Sequence, residues 1–139
     1  MNINLIVAAI LNYVRNSVWN YRRQSKGDPF EHTRENYLCF VIKDTNLIDI
    51  GRILTEHDYT LNEPMQFEDE GQVLSGHHYY NFVNGIPQRQ RHIRVFQLNG
   101  TTFEIRSHDE YSWIYSPIKH YNGVDVQNDC DYTRKVFNR

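Results

Sequence analysis

The chain has 139 residues, 40% hydrophobic, 23% charged and 14% aromatic, with a formal charge of −2. That length suits one domain, residues 1–139, around one core. The composition excludes collagen, low-complexity disorder and a disulfide scaffold, and the charge excludes nucleic-acid binding over the whole surface. Charge is unevenly spread. Residues 1–27 carry four bases and no acid, and residues 28–70 carry eleven acids against three bases. Residues 71–108 carry four arginines and one glutamate.

Ile3, Ile6 or Val7, Ile10, Val14, Val18 and Tyr21 recur at helical spacing, which predicts a helix over about 2–26 with one apolar face. Asn12, Arg15, Asn16 and Asn20 interrupt it, so it falls short of the about 20 apolar residues that a membrane span needs. It also lacks the basic start and small-residue cleavage site of a signal peptide. Ala8 and Ala9 suit close packing on a sheet rather than on a membrane. Gly27-Asp28-Pro29 marks its end.

Residues 36–57 read as a buried apolar strand, 36–42, followed by a helix. Asp44 or Thr45 is its expected cap, and Leu47, Ile48, Ile50, Ile53 and Leu54 form its apolar face. Residues 58–71 are acidic and broken by Pro64, as in a surface loop. Cys39 and Cys130 share no CxxC spacing. Reduced thiols and a cytoplasmic location are expected, a single disulfide being the alternative.

Residues 72–115 read as an antiparallel meander. Strands are predicted over 73–83, 90–97, 101–108 and 111–115, with Asn84-Gly85 and Asn99-Gly100 as hairpin signals. A two-residue turn at Asn84-Gly85 pairs His77 with His92, Ser75 with Arg94 and Tyr79 with Gln90. A three-residue loop at 98–100 pairs Gln97 with Thr101, Arg94 with Glu104 and His92 with Arg106. These registers give one apolar face and one polar face. The polar face carries Ser75, His77, Tyr79, His92, Arg94, Glu104 and Arg106, with His108 at its edge. The fold class is α+β: an antiparallel sheet of three to five strands, with the N-terminal and central helices on its apolar face. The tail, 116–139, ends in a short helical turn or edge strand that packs Val136 and Phe137.

A wet face is ordinary for such a sheet, yet this one bears histidines and arginines where lysine and threonine would serve. No lysine lies between Asp44 and Ile118. The first functional expectation is a small metal-independent phosphodiesterase or ribonuclease, needing no cofactor, with RNA or a nucleotide as partner. His92, His77 and His108 exchange protons, Arg94 and Arg106 stabilise charge on phosphorus, and Glu104 orients a base or an arginine. Ser75, Tyr79, Tyr111 and Trp113 contact substrate, the aromatics by stacking on a base. The alternative is a non-catalytic module that binds a protein through its aromatic and arginine surface and its acidic loop. A third reading gives His77, His92 and Glu104 or His108 to zinc or iron, with the neighbouring arginines counting against it. His78 points to the other face and reads as a core or edge histidine.

Overall fold

The computed structural model describes residues 37–62 and 71–139, together with Val7, Ile10, Tyr13 and Val14. The described chain runs through β1 (Leu38–Ile42), α1 (Leu47–Glu56), β2 (Thr60–Asn62), β3 (Gln72–Val83), β4 (Ile86–Asn99) and β5 (Thr102–Tyr111). It continues through α2 (Pro117–Tyr121), β6 (Gln127–Asn128) and α3 (Cys130–Val136). The strands form one six-stranded antiparallel sheet in the order β1-β5-β4-β3-β2. The short strand β6 pairs β5 farther along than β1 does. This is the expected α+β class with an antiparallel sheet. The four described N-terminal residues are helical and exposed, and the rest of the helix expected over 2–26 lies outside the described residues. No described helix is long and apolar enough to cross a membrane.

The β3–β4 hairpin follows its turn chemistry. Asn84 and Gly85 both hold positive φ, 50° and 77°, which matches the twist of the strands they join. Val83 then opposes Ile86, and His77, Ser75 and Tyr79 oppose His92, Arg94 and Gln90 as predicted. The β4–β5 hairpin departs from expectation. Gly100 and Thr101 make the turn, Asn99 opposes Thr102, and a bulge sits between Gln97 and Asn99. Pairing therefore moves by two residues: Arg94 opposes Arg106 rather than Glu104, and His92 opposes His108 rather than Arg106. Side chains alternate with period two, so each keeps its expected face while its neighbours change.

Other corrections are local. Asn46, not Asp44 or Thr45, caps α1: its Oδ1 accepts from Asp49 N at 2.9 Å. Residues 60–62 of the expected acidic loop form the edge strand β2, and 63–70 lie outside the described residues. The strand expected over 111–115 does not form: β5 ends at Tyr111, and the Ser112 hydroxyl accepts from the backbone N–H groups of Ile114 and Tyr115 and curls the chain into a turn.

The core gathers Ile50 and Leu54 of α1, Val136 and Phe137 at the end of α3, and Ile42, Ile93, Val95, Phe103 and Ile105 of the sheet. The two cysteines are joined as a disulfide, against the expectation of free thiols. The cause is topological. β1 and β6 both pair β5, which brings Cys39 of β1 and Cys130 just after β6 to a Cα separation of 4.9 Å. With these cysteines bonded, thiol content no longer favours a cytoplasmic location.

Candidate functional site

Strand pairing lays the polar face out in cross-strand rows. The central row runs Thr60, His77, His92, His108 and Asn128. One row to one side stand Tyr79, Gln90 and Glu110; one row to the other stand Ser75, Arg94 and Arg106. Adjacent rows on one face are two residues apart along a strand, about 7 Å. Histidine, carboxylate and guanidinium groups thus lie within one substrate's reach. His92, His108, Glu110, Arg94 and Arg106 are all buried, while His77 is half-buried.

The rings are in contact. His77 stacks on His92 with centroids 4.3 Å apart, and His92 meets His108 edge to face at 5.1 Å. Glu110 closes the group: its Oε1 lies 3.7 Å from His92 Nδ1, and its Oε2 lies 3.2 Å from His108 Nε2. Gln90 Nε2 donates to Glu110 Oε1 at 2.8 Å. Helix α2 adds His120, whose Nδ1 is 2.9 Å from the Tyr111 carbonyl and 3.5 Å from Glu110 Oε2. A carbonyl only accepts, so this nitrogen is the donor.

Protonation states follow from this crowding. Burial pushes the His92 pKa well below 6.5, and coupling to the imidazoles of His77 and His108 and to Arg94 pushes it the same way. His92 is therefore neutral at pH 7. Burial alone would raise the Glu110 pKa, but His120 and His108 overrule it and leave it at about 2. A neutral imidazole faces an ionised carboxylate.

The arginine row is electrostatically unusual. Arg94 and Arg106 stand directly opposite one another, although like charges across a strand pair repel. Arg106 Nε donates to Glu104, and Arg94 Nε donates to the Gln72 side chain at 2.8 Å. The buried Nη1 of Arg106 has no acceptor among the described residues. Such a donor is costly unless an anion meets it.

Of the expected site residues, Ser75, His77, Tyr79, His92, Arg94, Glu104, Arg106 and His108 share this face. His108 sits in the central row rather than at the edge. Trp113 reaches the face from the turn after β5: its Nε1 donates to the Tyr79 hydroxyl at 2.9 Å. Tyr111 does not join them. It alternates to the opposite face, where Arg89 lies 4.7 Å from its ring centroid. His78 also faces away, 3.4 Å from the Tyr132 hydroxyl. Beside it a second polar group forms: Arg89 bonds Asp109 and Asp125, and Arg91 bonds Asp129 between the rings of Tyr80 and Tyr132.

Sequence reasoning missed Glu110 and Gln90 as site residues; His120 could be set in the same cleft as His108, but no local pattern placed it there. Glu110 was within reach of the alternation argument, since it lies two residues beyond His108 on the same strand. Comparison with protein-family models, curated proteins and solved structures finds no significant match.

Proposed function

We propose that this face binds and cleaves a phosphodiester, with RNA as the substrate class. The observation that carries the reading is the buried Arg94–Arg106 pair, opposed across two strands and one row from three adjacent histidines. The buried Arg106 Nη1, which has no acceptor among the described residues, would meet a bound phosphate beside the Arg94 guanidinium. RNA brings its own nucleophile. The 2′-oxygen loses its proton and bonds to phosphorus, the P–O5′ bond breaks, and the departing oxygen takes up a proton. The products are a 2′,3′-cyclic phosphate and a 5′-hydroxyl.

The face provides for each event. His92, His108 and Glu110 activate the attacking oxygen. Half-buried His77, stacked on His92, delivers the proton to the leaving oxygen. Arg94 and Arg106 stabilise the charge that builds on phosphorus. The hydrogen-bonded pair Tyr79–Trp113 offers an aromatic surface for the flanking base.

The test is cleavage of a labelled RNA of mixed sequence by wild type, His92→Ala and Arg94→Ala, after matching circular dichroism shows that all three fold. Wild type is expected to cleave, with each variant slower by roughly 100-fold or more. No cleavage by wild type, or equal cleavage by all three, would overturn the reading.

A further inference from the structure

We propose that His92, His108 and Glu110 bind one divalent transition-metal ion, zinc by the character of its donors. The inference rests on the preceding reading for its catalytic consequence, but not for the existence of the site. One nitrogen from each histidine and one carboxylate oxygen lie within 4.8 Å of one another, and all three residues are buried. Donors about 2.1 Å from a tetrahedral ion stand roughly 3.4 Å apart. The Glu110 carboxylate comes near that value with both imidazoles, through Oε1 to His92 Nδ1 at 3.7 Å and through Oε2 to His108 Nε2 at 3.2 Å.

Donor type points the same way. Two imidazoles and one carboxylate make a three-ligand set that leaves a fourth position open, as hydrolytic zinc sites require. Thiolates are absent from this group, which disfavours softer ions. The surroundings are those of a supported site. Gln90 fixes Glu110 Oε1 through its 2.8 Å hydrogen bond, and His120 stands 3.5 Å from Oε2 while anchored to the Tyr111 carbonyl. The arginines do not forbid a cation here. They occupy the next row, about 7 Å along the strands, and Arg106 is engaged by Glu104. An ion in the triangle supplies the activation step directly, because its open position lowers the pKa of a coordinated hydroxyl. The 2′-oxygen would be activated one row from the phosphate held by the arginines, its proton passing to water.

The test is calorimetric titration of the full chain with Zn²⁺ after dialysis against EDTA, comparing wild type, Glu110→Gln and Gln90→Ala. Wild type is expected to bind one ion per chain. Gln90→Ala, which frees the carboxylate to reorient and also removes the acceptor of the Trp113 N–H, should weaken binding by about 10- to 100-fold, and the isosteric Glu110→Gln by more; it too is first matched to wild type by circular dichroism. If Glu110→Gln fails to match wild type by circular dichroism, the Gln90→Ala comparison decides alone. No heat on titrating wild type would overturn the proposal. Equal affinity in the folded variants would overturn it too, by placing the ion elsewhere. RNA cleavage that persists in EDTA would sink the metal's role and leave the phosphodiester reading standing. Zinc binding without RNA cleavage would do the reverse.

Discussion

Single residues on this sheet act through what the neighbouring strands place beside them. Asp129 shows this away from the histidine face. Burial raises its carboxyl, Arg91 lowers it and Asp109 raises it again, taking it from an ordinary 3.8 to about 6. A raised acid pKa means that the folded chain holds a proton the unfolded chain gives up. The stabilisation is complete below the unfolded value and is lost as pH rises through about 6. Asn at this position cannot ionise, yet its carbonyl still accepts from Arg91. The stability of wild type relative to Asp129→Asn should therefore fall by about 1 kcal/mol between roughly pH 4 and pH 7, after allowance for partial hydration. Urea midpoints of both proteins across that range provide the check, and a difference independent of pH would contradict it. Glu110 is the opposite case at the same scale: a carboxylate held ionised in a buried place by its histidine neighbours.

Among the elements, the sheet carries most of the information, and its geometry constrains substitutions strongly. Gly76 of β3 lies between its cross-strand partners, Ile93 of β4 and Leu61 of β2. A Cβ there would stand 3.3 Å from Ile93 Cγ2 and 3.3 Å from Leu61 Cδ2. Gly76→Val should cost about 1–3 kcal/mol by overpacking, read as a lower urea midpoint; an unchanged midpoint would show that β2 yields freely. The faces of these strands were legible from alternation alone. Ser75, His77, Tyr79, His92, Arg94, Glu104, Arg106 and His108 were assigned to one face, and they share it. Their partners across β4 and β5 were not legible, because a bulge near Leu98 shifts pairing by two residues with no signature beyond Asn-Gly. Glu110 lies beyond the strand end that the sequence predicts at His108, and Tyr111 lies before a strand-to-turn boundary at Ser112 that no residue pattern marks. His120 depends on where α2 docks, and periodicity holds no information about that.

The whole molecule closes on itself through contacts remote in sequence. The Cys39–Cys130 disulfide spans 91 residues and joins β1 to the start of α3. On the chain-entropy account a loop of that order stabilises the fold by about 4–5 kcal/mol. The bond also lies close to the site, since Asn128 pairs His108 and the Tyr37 ring lies 5.8 Å from that of His108. At this scale the account claims that the histidine–glutamate group and the arginine row form one chemical centre. The most direct measurement is a double-mutant cycle on RNA cleavage with Arg94→Ala and Glu110→Gln, the rate constants taken at saturating enzyme. Residues that act as a unit are strongly non-additive. The account predicts that each single variant loses at least about 100-fold and that the double variant is little worse than the poorer single. Losses that multiply, or cleavage untouched by either change, would show that the rows do not share a substrate and would contradict it.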